Sequence, residues 1–262
     1  MNRTSVQSSR YHDSEDSYLA SLSDLIIGVL FVFIILLMAF ALNYKVAQTD
    51  ANAVEKDLKI RNEQLSDAQE DRKTLLTDIR KTLQEAGIPV EIDTENGVLR
   101  LPESLLFDSG RAEFREGGPR ALKVLADNLA NILPCFSATQ DGLDICKARN
   151  PRKRRLEAIF VEGHTDNVPI RTALFKDNWD LSVARAKTTY LELTKAAPAL
   201  EGLRNGRGEP LLSFSAYAER RPLLDNESEQ GRRKNRRIDL RFIMSVPVIA
   251  TMRVSEPLGS GK

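Results

Sequence analysis

The chain has 262 residues, 29% of them charged, with 38 Lys and Arg against 37 Asp and Glu and a formal net charge of +1. That length accommodates a membrane segment and one folded domain of ordinary size, not two large ones, and the balance of charge excludes the strongly basic surface of a nucleic-acid-binding protein. With two histidines, two cysteines and no nucleophile motif, neither an enzyme nor a metal or cofactor protein is expected.

Residues 1–17 are polar, with Arg3 and Arg10 ahead of Asp13, Glu15 and Asp16, and read as a short tail. Residues 18–44 hold a single carboxylate, Asp24, followed by eighteen uncharged residues, LIIGVLFVFIILLMAFAL. At ~1.5 Å per residue the stretch 18–42 spans about 37 Å against ~30 Å of hydrocarbon, with Asp24 roughly 9 Å inside its N-terminal end. The run begins late for a cleaved signal, and no small-residue cleavage pattern follows before Asn43 and Lys45, so a permanent single-pass anchor is expected. An ionisable group at that depth marks a functional position; the alternative is a helix-start carboxylate at the interface. Arg3 and Arg10 before the run, against Lys45, Lys56, Lys59 and Arg61 after it, leave the orientation undecided.

Residues 45–86 lack Gly and Pro and place Val54, Leu58, Leu65, Ala68, Leu75, Ile79 and Leu83 close to a heptad seam interrupted by Arg61 and Arg72. This predicts a helical stalk, either a solvated single helix or a weak dimeric coiled coil. Gly87 and Pro89 end it.

A folded domain is expected over 87–245, followed by a polar tail, 246–262. Strands are predicted at 90–92 and 97–101, then a helix with its apolar face at Leu122, Leu125, Leu129 and Leu133 ending at Pro134. Residues 135–155 form an aperiodic excursion carrying Arg149, Arg152, Lys153, Arg154 and Arg155. A buried strand follows at 156–163, a helix capped by Asp180, a strand at 211–217, an irregular polar segment at 219–231 and a last strand at 238–244. The order is β-α-β-α-β-β, an α+β mixed sheet with helices on one face. Cys135 and Cys146 suit a local disulfide in an oxidising compartment as well as they suit two free thiols; a bridge would place the domain outside the cytoplasm.

Three polar strings lie around these elements: GHTDN at 163–167, NWDLSVARA at 178–186 and GRRKNRRID at 231–239. His164 alone reads as a packed side chain, since one histidine with scattered carboxylates is no ligand set. On the helix, Leu181 and Arg185 are four apart and share a face. Arg185 could offer a planar fork to a carboxylate while Asp166, at the strand end, accepts from an ammonium group. A ligand carrying both groups, such as the free end of a diamino acid, would be bridged by the pair. The basic run at 232–237 alternates into Ile238, Leu240 and Phe242 and so reads as the entry to a strand, with no nucleic acid expected.

The order VEGHTDNVPI, NWDLSVARA, GRRKNRRIDLRF resembles the OmpA-like peptidoglycan-binding domain over roughly 90–244. The resemblance implies that Asp166 and Arg185 bind the ends of a diaminopimelate side chain of the cell-wall stem peptide. It places neighbouring contacts at Thr165, Asn178 and Leu181, and at Arg236 before the last strand. One membrane helix with an N-terminal Asp, a stalk and this domain together resemble the MotB family of stator subunits, in which a dimer sits inside a pentamer of a multi-span MotA-like partner. HDSEDSYLASLSD ahead of the apolar run is more similar to the ZorB subunits of Zorya antiphage systems, whose partner is ZorA, than to flagellar members. The implied protein is an inner-membrane, wall-anchored subunit of an ion-driven rotary motor. Its N-terminus is cytoplasmic, its domain is periplasmic and Asp24 relays the ion. A flagellar-type stator and a passive wall tether are the competing readings.

Overall fold

The computed structural model describes residues 7–138 and 144–245, and the chain divides into two units, Met1–Asn62 and Glu63–Lys262. The first unit is helical. Helix α1 (Gln7–Glu85) begins eleven residues ahead of the expected Tyr18, because no Gly or Pro interrupts the chain before Gly28. Its most apolar 18-residue window has a mean hydropathy of 3.3 and no buried residue, so the helix is long and apolar enough to cross a membrane. Every large apolar side chain from Leu25 to Leu42 is at least half exposed. An all-round apolar surface of this kind suits lipid or a partner chain and not water. The predicted tail 246–262 and the first six residues of the predicted tail 1–17 lie outside the described residues.

The second unit is built on a five-stranded sheet of order β1-β2-β5-β3-β4. Its strands are β1 (Glu91–Asp93), β2 (Val98–Pro102), β3 (Leu156–His164), β4 (Leu212–Ala218) and β5 (Arg237–Met244). All pairings are antiparallel except β3 with β4, which run parallel across helix α5 (Asn178–Ala196). The mixed sheet predicted from sequence is therefore present. Strand alternation divides its faces. Leu99, Leu101, Ile159, Val161, Leu240 and Phe242 point into the apolar core with Leu122, Leu125 and Leu129 of α3 (Gly118–Ile132). The opposite face carries Arg100, Glu162, His164, Arg237, Asp239 and Arg241, a distribution that follows from the register Glu162↔Asp239 and Arg100↔Asp239.

The boundary at 86/87 is corrected. Leu75, Leu76, Ile79 and Leu83 are at most 2% exposed and belong to the same core as the sheet, so residues 63–85 are part of the domain and not of a solvated stalk or coiled coil. Of the near-heptad stripe, Ala68, Leu75, Ile79 and Leu83 face this core while Val54, Leu58 and Leu65 are exposed, and Arg72, which breaks the seam, donates to the carbonyl of Glu95 at 2.5 Å. Two local readings also change. Asp177, not Asp180, caps α5, accepting from the N–H groups of Trp179 and Asp180. The segment read as irregular up to 231 ends in helix α6 (Glu229–Asn235), capped by Ser228.

The 135–155 excursion acquires a role. Cys135 and Cys146 are joined in a disulfide, linking the short 3-10 turn Leu133–Phe136 to helix α4 (Asp144–Arg149). Two of its basic residues pair with α1 acids. Arg152 contacts Asp71 at 2.7 Å and Glu70 at 3.1 Å, and Arg154 contacts Asp67 at 3.0 Å.

Burial of an aliphatic side chain is worth about 1.5–3 kcal/mol. The four α1 side chains together therefore contribute about 6–12 kcal/mol, comparable to the whole stability of a domain. A fragment of residues 63–245 should melt cooperatively, whereas 87–245 should show no thermal transition by circular dichroism. Equal melting of the two would contradict the corrected boundary.

Candidate ligand-binding site

The site starts from a close backbone approach. At Gly163, near the end of β3, an added Cβ would lie 2.1 Å from the carbonyl oxygen of Ser182 on α5, so only glycine lets the helix seat on the strand there. After a bulge between Gly163 and His164 the chain turns. The Thr165 N–H donates to the Ala218 carbonyl at 2.9 Å, and the Thr165 hydroxyl donates to the Asp166 carbonyl at 2.9 Å. Asp166 is aimed by its own loop: Oδ1 accepts from the Val168 N–H at 3.1 Å. Asn178, the first residue of α5, locks the loop to the helix by donating to the Asp166 carbonyl at 3.2 Å and accepting from the Ile170 N–H at 3.3 Å. Leu181 packs with Ala112 and Phe175 beneath.

Arg185, one turn along α5, is 2% exposed. Its Nε donates to the Arg111 carbonyl at 2.7 Å and Nη2 to the Asp108 carbonyl at 3.2 Å, and its guanidinium lies 5.4 Å from the centre of the Phe107 ring. Its ion partner is Glu103, the first residue of helix α2 (Glu103–Leu106). Glu103 also accepts from Arg236 at 2.7 Å, and Arg236 reaches Asp166 at 2.5 Å and Glu229 at 2.8 Å. The charges thus form a chain, Asp166, Arg236, Glu103, Arg185, in which Arg185 and Asp166 do not pair directly. The expected fork of Arg185 is turned inward, because a buried guanidinium needs acceptors from the protein itself.

One cavity of about 440 Å³ gathers all six residues expected at the site: Thr165, Asp166, Asn178, Leu181, Arg185 and Arg236. Its charged lining is Glu103, Asp166 and Glu229 against Arg185, Arg232 and Arg236. Three charges of each sign make it neutral overall. A ligand with one ammonium and one carboxylate can exchange partners here without leaving an uncompensated charge.

No family model matches the chain. It is 28% identical over 177 residues to Motility protein B of Bacillus subtilis, covering 66% of this chain and 56% of that protein. It is 27% identical over 252 residues to the uncharacterised protein YtxE of the same organism, covering 89% and 90%. The chain thus spans little more than half the length of the motility protein. Among solved structures, a MotB-like protein from Desulfovibrio vulgaris superposes with a TM-score of 0.47 at 24% identity, covering 71% of this chain and 99% of that one.

Two features escaped the sequence reading. Glu103 had a weak signal, an acid directly after Pro102 where a strand ends. The second feature is a network on the other face of the sheet. Glu162 and His164 are two apart on β3 and Asp239 faces Glu162 across the register, bringing three potential ligand atoms within 4.8 Å of one another. The carboxylates are engaged by arginines, however: Arg241 grips both Glu162 oxygens at 2.8 and 2.9 Å, and Arg237 meets Asp239 at 2.9 Å. His164 stacks on Tyr217 with ring centroids 5.4 Å apart. The arrangement is a charge network covering the sheet face.

Burial would raise the Glu162 carboxyl, but His164 and Arg241 outweigh it and hold it at about 2, against 4.5 for an ordinary glutamate. Burial lowers His164. Both signs favour neutral pH. The histidine contribution is present above 6.5 and is lost as pH falls from there toward the lowered folded value. The Glu162 contribution is present above 4.5 and is lost between 4.5 and about 2. Glu162→Gln should cost about 2 kcal/mol at pH 7 and flatten the acid limb below 4.5, measured by urea unfolding across pH. An unchanged acid limb would remove Glu162 from this role.

Proposed function

We propose that this chain is the wall-anchoring subunit of an ion-driven motor in a bacterial inner membrane. The observation that carries this is the neutral cavity uniting Asp166, Arg185, Arg236, Thr165, Asn178 and Leu181, on a chain that also bears a helix apolar enough to cross a membrane, in which Asp24 is the single carboxylate of residues 18–44. The cavity takes the zwitterionic end of diaminopimelate in peptidoglycan: Asp166 accepts from the ammonium as Arg236 gives way, and the carboxylate joins Glu103 around the guanidinium groups. The similarity to Motility protein B supports a MotA-like multi-span partner. On this reading two copies of the chain sit within a pentamer of that partner, Asp24 carries the ion, the N-terminus is cytoplasmic and the wall-binding unit is periplasmic. The disulfide agrees with an oxidising compartment. The character of the segment before Asp24 favours a Zorya-type antiphage system with a ZorA-like partner. The same similarity to motility proteins favours a flagellar-type stator as the second reading.

Two variants separate these claims. Arg185→Ala should reduce co-sedimentation of the protein with purified sacculi by about tenfold, as expected when one charge-assisted contact is lost. Arg185 and Asp166 are both buried, so Arg185→Ala and a second variant, Asp166→Asn, are scored only after a melt shows each folded. Wild-type sedimentation by both variants would reject the site. Asp24→Asn should leave sacculus binding unchanged while abolishing the cellular phenotype. Retention of the phenotype would leave a passive tether, and loss of motility alone in a motile host would select the flagellar reading over defence.

A further inference from the structure

On the far side of the Glu103–Arg236 pair lies a second cavity, of about 530 Å³, which shares those two side chains with the first. Its charges are not balanced. Arg100, Arg233, Lys234, Arg236 and Arg237 line it against only Glu91 and Glu103. Three of the cations are committed: Arg236 to Glu103, Asp166 and Glu229, Arg237 to Asp239 and two carbonyls, and Lys234 to Glu91. Two retain capacity. The Arg233 side chain has no hydrogen-bond or ion-pair partner among the described residues. Arg100 uses one terminal nitrogen on Asp93 at 2.7 Å, while its buried Nε finds no acceptor in the protein. The Arg233 guanidinium, exposed and unpaired on the wall of a concave, partly apolar cavity, suits an anion with oxygen acceptors, and its planar fork suits a carboxylate, with the Arg100 charge beside it.

We propose that this cavity is an anion subsite for a carboxylate of the stem peptide whose diamino-acid end occupies the first cavity. The inference rests on the wall-binding reading above. The two cavities abut at Glu103 and Arg236, so a peptide held at Asp166 and Arg185 can place a neighbouring carboxylate against Arg233 and Arg100. The basic run at 232–237 then serves two cavities: Arg236 gates between them, and Arg233 faces the second alone.

The test uses the full chain in detergent and a soluble disaccharide-tripeptide containing diaminopimelate, in two forms: with the glutamyl α-carboxylate free, and with it amidated. Calorimetric titration should show the acid form binding about tenfold more tightly than the amide. Arg233 is exposed, so Arg233→Gln should keep the fold. It should bring that ratio close to one, lower the salt dependence for the acid form, and leave the affinity for the amide unchanged. Arg185→Ala should weaken both forms alike. An unchanged ratio in Arg233→Gln, with Arg185→Ala still weakening both, overturns the subsite and leaves the wall-binding site standing. Failure of the wild-type protein to bind either form overturns both. If inorganic phosphate at matched ionic strength erases the preference for the acid form, the cavity is a phosphate site and the carboxylate assignment falls.

Discussion

Burying Arg185 obliges the domain to supply it with acceptors, and most of the candidate site follows from that obligation. A guanidinium out of water is tolerable only when its donors are matched and its charge is opposed. Two carbonyls from the loop after α2 supply the first condition, and Glu103 supplies the second. Glu103 is itself buried and needs more than one cation, so Arg236 is drawn in, and Arg236 extends to Asp166. The four residues come from four separate segments of the chain. Their mutual neutralisation holds the end of β3, the start of α2, helix α5 and the entry to β5 in one arrangement.

The same logic explains the two basic runs of the chain. In the 149–155 run, Arg152 and Arg154 are paired with acids on α1 and Arg149 with a carbonyl of α3, and much of the 232–237 run is paired with acids on neighbouring elements. A cluster of like charges in sequence is therefore a poor guide to surface potential when its partners lie 80 residues away. Only after the internal pairs are assigned does the small excess around Arg100 and Arg233 become visible.

The strands were legible because alternation and β-branched runs report burial directly, as in 156–163 and 238–244. The six residues expected at the site come from three short strings in a characteristic order, and they line one cavity. What sequence could not convey was pairing. Spacing placed Arg185 and Leu181 on one face of α5 but said nothing of Glu103, whose closeness is a tertiary fact. The domain boundary was misplaced for a related reason: an apolar stripe looks alike whether it meets a second helix or a sheet, and Leu75, Ile79 and Leu83 meet the core. Glu162, His164 and Asp239 looked scattered because two lie on β3 and the third arrives from β5, 75 residues after His164, through the strand register.

Gly163 has a consequence beyond packing. Asp166 follows it by three residues on one side, and Arg185 follows its contact residue Ser182 by three on the other. The separation of the two ends of the site is therefore fixed by backbone lying on backbone and not by the girth of any side chain. The missing methyl works as a calliper stop. Resizing a core side chain then leaves the approach of β3 to α5, and with it the placing of Asp166 and Arg185, set by the backbone.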